Sequence, residues 1–192
     1  GIPLKAFVAG VNSLLPDDIA VRAAEERAPG FDARRSARGK IYRYRILNRP
    51  TRSPLWRRYA WEVFRPLDID AMRQAAAALV GRHDFAAFRA SDCAAKSTVR
   101  EIRRIELRQT GELLEVELEA TAFLKHMVRN IVGTLVEVGL GKRQAGQLAG
   151  ILAGRDRTRA GITAPAHGLC LVQVFYPPAG EQAAGDVDAD EE

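Results

Sequence analysis

The residue pattern predicts an α+β protein: a mainly antiparallel sheet with helices packed on one face. Two observations carry this. Segments with a two-residue apolar period come in neighbouring pairs, most clearly on either side of Thr110-Gly111, and segments with a helical period follow them. A third observation excludes the main alternative. There is no internal repeat and no glycine-rich phosphate loop, and Gly139 and Gly141 follow a helix instead of opening one, which reads as a C-cap.

Val8 to Leu15 reads as loop and short helix, Leu15-Pro16-Asp17-Asp18 as a turn, and Ile19 to Ala24 as a short strand. An arginine-rich loop from Phe31 to Ser36 leads into a strongly alternating strand, 40–47. One face of it carries Lys40, Tyr42, Tyr44 and Ile46, the other Ile41, Arg43, Arg45 and Leu47. Asn48-Arg49-Pro50 ends it. Asp68 or Asp70 caps a helix running to about Val80, with Met72, Ala75, Ala76 and Leu79 on its apolar side and Gly81 as its stop. Val99 to Leu107 and Leu113 to Ala120 form a hairpin, in which Leu114, Val116, Leu118 and Ala120 alternate with Glu115, Glu117 and Glu119. A helix opens within the stretch from Phe123 to Gly133 and ends near Gly139. It is apolar nearly all round, as a helix inside a protein is. A shorter helix, 144–152, and a strand, 169–176, closed by Pro177-Pro178, complete the chain.

The chain has 192 residues, of which 47% are hydrophobic and 28% charged, enough to bury a core. No apolar run reaches the roughly 20 residues a membrane helix needs, and no signal peptide is visible at Gly1-Ile2-Pro3-Leu4. The absence of an initiator Met there suggests a trimmed or incomplete chain. Cys93 and Cys170 lack metal-ligand spacing, and Cys170, within an apolar strand, reads as a small buried thiol. The three histidines are scattered, so no metal site is expected. Six acidic residues and no Lys or Arg lie in 181–192, so the rest of the chain carries 29 basic against 18 acidic side chains, a net charge of +11. That excess suits a polyanionic partner, most simply nucleic acid. The acidic tail reads as disordered.

Four sets of residues could carry chemistry. His126, Arg129, Asn130, Gly133 and Glu137 form one narrow polar stripe on the inner helix. A buried guanidinium cannot shed its proton, so Arg129 needs an anion, either the partner in a structural ion pair or a group that takes part in chemistry, and none is evident nearby in sequence. Tyr42, set among Lys40, Arg43 and Arg45, suits a base stacked on its ring with cations on phosphates, although a core tyrosine fits as well. Leu169 and Leu171, after His167-Gly168, could wall an apolar pocket or belong to a plain core strand. Arg89, Lys96, Arg100, Arg103 and Arg104 could form one phosphate-binding surface or a merely solvated face. Arg155-Asp156-Arg157-Thr158 reads as a helix cap or turn.

Several segments taken in order resemble the tRNA pseudouridine synthase A family. They are Gly10-Val11-Asn12-Ser13-Leu14-Leu15-Pro16, Phe31-Asp32-Ala33-Arg34, Lys40-Ile41-Tyr42-Arg43-Tyr44, His83-Asp84-Phe85, Phe123 to Gly133, and Gly168-Leu169-Cys170-Leu171 onward to Tyr176. The resemblance implies a pseudouridine synthase-like fold and the isomerisation of uridine to pseudouridine in the anticodon stem-loop of tRNA, without a cofactor. The family's nucleophile is an aspartate in a Gly-Arg-Thr-Asp-Ala-Gly motif, which this sequence does not contain. A member truncated at its N-terminus is therefore expected. Residues 1–30 would be the remnant of an N-terminal catalytic subdomain, 31–180 the C-terminal α+β domain and 181–192 the tail.

By the same resemblance Arg129 pairs with that aspartate, Tyr42 stacks on the flipped base, and Leu169 helps form its pocket. Arg34, Arg35, Arg43, Arg45, Arg89, Lys96 and Arg100 would contact RNA. A cytoplasmic homodimer is the expected setting, with no membrane and no small-molecule partner. The alternative from a different class is a catalytically silent tRNA- or RNA-binding module.

Overall fold

A computed structural model describes residues 2–178; the acidic tail lies outside the described residues. Six strands form one sheet, in which β1 (Gly39–Asn48) pairs with three of the others. On one edge β1 pairs antiparallel with β5 (Leu113–Ala120). Its other edge is shared: β6 (Leu169–Phe175) runs antiparallel along the first half, and β2 (Trp61–Val63) runs parallel along Ile46 to Asn48. β5 continues to β4 (Val99–Thr110) and β4 to β3 (Gly81–Asp84), both antiparallel. The sheet is therefore mixed but mainly antiparallel, as expected.

Register sorts the side chains. Tyr42, Tyr44 and Ile46 stand opposite Leu118, Val116 and Leu114 and face the helices. Arg43 and Arg45 stand opposite Glu117 and Glu115 on the other face. Against the apolar face lie α2 (Ile69–Ala77), α3 (Met127–Gly139) and α4 (Gln147–Gly154), which join it in one core with Met72, Ile131, Leu135, Leu148 and Ile151. Eleven of the 13 residues of α3 are buried, in line with its all-round apolar sequence. Asp68 caps α2, accepting from the Ala71 amide at 2.9 Å. Gly141, in the left-handed region at φ +71°, closes α3 as the expected C-cap.

Some elements differ from expectation. Residues 19–24 form no strand. Instead the Asn12 side chain bonds both the amide (2.8 Å) and the carbonyl (2.7 Å) of Val21, taking the place of a strand partner. The first helix, α1 (Leu4–Asn12), begins earlier than expected and buries none of its residues. α2 stops at Ala77, α3 begins only at Met127, and α4 is shifted to Gln147–Gly154. β2 and β3 were not anticipated because they are only 3 and 4 residues long, too short for a period to register. Cys170 is exposed, not buried. It lies opposite Arg43, so alternation turns it to the polar face, and within the described residues β6 pairs along one side only.

Candidate active site

The site is built where β1, β6 and the first turn of α3 meet. A register shift between Ile41 and Tyr42 places Tyr42 opposite Leu171 and Tyr44 opposite Leu169. Alternation puts all four on the helix-facing side, with Tyr42 and Leu169 half-buried. Tyr42 meets the ring of Phe123 edge-on, centroids 5.1 Å apart at 90°. Tyr44 is fully buried, and its hydroxyl donates to the Pro165 carbonyl at 2.6 Å. Burial pushes the Tyr44 phenol well above its ordinary range, against the opposing pull of the Arg129 charge, so it remains a donor.

Arg129 is the third residue of α3 and half-buried. Its Nε donates to the Ala164 carbonyl at 2.7 Å, while its own carbonyl accepts from the Ala164 amide at 3.1 Å. It forms no ion pair with any carboxylate among the described residues. Beside it His126 caps the helix in the left-handed region at φ 61°, a conformation costly for a residue with a Cβ. Partial burial, and then the Arg129 charge, lower the His126 pKa below its ordinary value of 6.5, which keeps the ring neutral near pH 7. A guanidinium held by a backbone carbonyl beside a helix N-terminus attracts an anion from two sources, its own charge and the helix dipole.

The rest of the polar stripe is covered by one extended segment. Asn130, Gly133, Thr134 and Glu137 lie under residues 160–164, which run antiparallel across α3. The Gly161 amide donates to the Thr134 hydroxyl (2.9 Å) and the Ile162 amide to Glu137 (3.2 Å). At Gly133 a Cβ would stand 1.7 Å from the Ile162 carbonyl oxygen, so only glycine admits this approach. Arg157 reaches in from the preceding turn to Asn130 Oδ1 (3.1 Å), Thr163 Oγ1 (3.0 Å) and the Gly161 carbonyl (2.9 Å). Sequence reasoning missed Arg157 and Thr163. The signal was the polar stripe itself, which had to meet something.

The expected RNA contacts separate into three groups. Arg34 and Arg35 are exposed on a turn fixed by Asp32, whose carboxylate accepts both of their amides (2.9 and 2.7 Å) and is held below the usual carboxylate range by them. Arg89 is half-buried, with its charge near Asp84, and Lys96 is exposed. Arg43 and Arg45 are already engaged, with Glu117 at 2.9 Å and Glu115 at 3.0 Å. Arg104 is likewise engaged with Glu106 and Glu117, and Arg103 with Glu119. The expected position of Arg100 on a cationic surface is corrected. It is 4% exposed, turned inward beside Ile102 and bonded to the Ser97 and Val99 carbonyls, because alternation along β4 points it at the core. Asp156 accepts from the Thr158 amide and hydroxyl, a turn cap as expected. Among the described residues no group of three or more His, Cys, Asp or Glu could hold a metal ion.

A mixed, mainly antiparallel sheet backed by helices carries here an aromatic and apolar floor, with the Arg129 guanidinium, which has no carboxylate partner among the described residues, at its rim. The profile of a family described as tRNA pseudouridine synthase matches residues 75–177. The chain is similar to tRNA pseudouridine synthase A of Myxococcus xanthus, with 58% identity over 195 residues, covering 100% of this chain and 73% of that protein. It is also similar to the tRNA pseudouridine synthase A of Pelobacter propionicus (53% over 175 residues; 91% and 72% covered) and of Geobacter sulfurreducens (49% over 175 residues; 91% and 72%). The chain belongs to the tRNA pseudouridine synthase family.

Proposed function

We propose that this chain forms part of an enzyme that isomerises uridine to pseudouridine in the anticodon stem-loop of tRNA, that Arg129 steadies the aspartate that acts as nucleophile, and that the 192 residues alone are inactive. The observation that carries this reading is the Arg129 guanidinium, half-buried and anchored through Nε alone, with no carboxylate partner among residues 2–178. The aspartate would belong to polypeptide that these 192 residues do not include.

The target uridine leaves the stack at a cost of a few kcal/mol. Tyr42 stacks on the base, and Leu169 with Leu171 walls the pocket. The carboxylate attacks and Arg129 holds it ionised and aimed, since a nearby cation favours the charged form. The carboxylate bonds to the ribose C1′ as the bond from C1′ to N1 breaks, the base turns, and C5 then displaces the carboxylate from C1′, which regenerates the aspartate. N1 gains a proton and C5 loses one, so the exchange balances without a redox step. Arg34, Arg35, Arg89 and Lys96 contact phosphates, and binding falls steeply with salt. Arg43 and Arg45 would join them only by giving up their glutamates. We place the enzyme in the cytoplasm as a homodimer, an assembly that sedimentation equilibrium reads directly. Among the described residues no helix is long and apolar enough to cross a membrane.

The experiment is tritium release from tRNA labelled at uridine C5. The 192-residue chain is assayed alone and joined to the part of the Myxococcus xanthus relative that the match leaves out. Activity is expected in the joined protein only, and Tyr42→Ala, which removes the stacking ring, should depress it strongly. Turnover by the 192 residues alone would show that the nucleophile has been misassigned, and silence of both would overturn the activity itself.

A further inference from the structure

We propose that Arg157 is a positioning residue for Arg129, acting through the segment that both of them hold. This rests on the reading above that Arg129 faces the reacting aspartate. Arg129 is fixed at two points by one residue, Ala164: amide to carbonyl at 3.1 Å and Nε to carbonyl at 2.7 Å. The guanidinium is therefore aimed only as well as Ala164 is placed. The next residue, Pro165, receives the Tyr44 hydroxyl, so the same segment also fixes the floor of the pocket.

What places Ala164 is a closed hydrogen-bond circuit one residue away. Thr163 Oγ1 donates to Asn130 Oδ1 at 2.6 Å and accepts from Arg157 Nη2 at 3.0 Å, and the same Nη2 reaches Asn130 Oδ1 at 3.1 Å. Asn130 is fully buried and tied to the body by its Nδ2 on the Phe88 carbonyl at 2.7 Å. Arg157 Nη1 closes the circuit on Gly161 O at 2.9 Å. One guanidinium thus spans both ends of the 161–163 stretch and pins it to a buried amide. All its acceptors are neutral oxygens, and it makes no ion pair among the described residues. A Lys would supply the charge but not the two-pronged geometry. A fork that bridges a loop to a helix one residue before the active arginine's anchor sets a register; a surface ion pair would not.

The test needs no turnover. In the 192-residue chain the Nε–H of Arg129, assigned by its loss in Arg129→Gln, is followed by nitrogen-proton NMR as it exchanges with solvent. Arg157→Gln and Thr163→Val are expected to speed that exchange roughly tenfold. Thr163→Ser, which keeps the hydroxyl, should restore most of the protection. The Nε–H of Arg43, bound to Glu117 on the other face of the sheet, serves as the internal control and should not change. Unchanged Arg129 exchange in both variants, or an equal loss at Arg43, overturns the proposal. Should Arg157→Gln fail to fold, Thr163→Val decides alone. In the joined enzyme the same variants should lower kcat about tenfold with KM within about twofold. An inactive joined protein would sink the assigned function and leave the exchange result standing.

Discussion

The two faces of the sheet treat arginine in opposite ways. On the outer face every one of these cations meets carboxylates: Arg43 and Arg45 lie opposite Glu117 and Glu115, and Arg104, opposite Glu119, meets Glu106 at 2.6 Å and Glu117 at 3.0 Å. These glutamates raise the pKa of Arg43 and Arg104, and Arg104 with Arg108 lowers that of Glu106. On the inner face Arg129 has only a backbone carbonyl. Paired surface charges contribute little, about 0–1 kcal/mol each, and are occupied. A half-buried cation with neutral partners has lost part of its hydration without a matching ion; Arg100 and Arg157 also have only neutral partners among the described residues, and Arg129 is the one proposed to meet an incoming anion.

The largest expected effect breaks this comparison outright if it fails. In the joined enzyme Arg129→Gln should lower the rate of tritium release by about a hundredfold or more, the scale seen when a group that aims transition-state charge is removed. Arg43→Gln and Arg45→Gln should stay within about threefold. Similar losses for all three would mean that the faces do not differ in function. The next effect concerns the segment laid over α3. Gly133→Ala drives a methyl against the Ile162 carbonyl and should destabilise the chain by about 1–3 kcal/mol, read from the urea midpoint. Gly150→Ala, within α4 and with nothing within 4 Å of the added carbon, should stabilise by about 0.5–1 kcal/mol. The same substitution changes sign because one helix is strapped there and the other is open.

The inner face was largely legible in the sequence. The alternation of β1 and β5, the Asp68 cap and the burial of α3 all follow from local periods, and the polar stripe on α3 marks where a second segment must lie. The outer face was legible only as charge. Whether Arg43 is free for phosphate depends on Glu117, 74 residues away, and no local pattern specifies that pairing. Arg100 shows the same limit: a basic residue in a basic run reads as surface until the strand's phase is known. Residues 19–24 failed because β propensity does not reveal that the partner is a single Asn12 side chain. Arg157 was hidden in a turn whose cap reading was correct but incomplete.

A smaller effect sharpens the contrast from the other side. Glu117 is shared by Arg43 and Arg104, so Glu117→Gln removes one anion from beside each of two cations, leaving Arg43 with Glu115 and Arg104 with Glu106 and Glu119. Stability should fall by less than about 1 kcal/mol. Binding to tRNA should tighten at low salt, and the slope of log affinity against log salt should steepen by about one to two. An unchanged slope would mean that RNA does not approach the outer face.

The smallest effect reports the field of Arg129 itself. His126 should titrate below 6.5 by NMR, and Arg129→Gln should move its midpoint upward, because one of the causes of the depression is removed while partial burial remains. Asp92→Asn should move it down, since the Asp92 charge is the one that favours the imidazolium. The sign carries over to stability. With the folded pKa below the unfolded value, the unfolded chain takes up the proton first, so stability declines as pH falls through about 6.5 and levels off below the folded midpoint. His126→Asn, which tolerates the left-handed backbone, should remove that slope. If Arg129→Gln in the 192-residue chain leaves the His126 midpoint where it was, the Arg129 charge does not reach His126 and the distinction between the two faces loses this support.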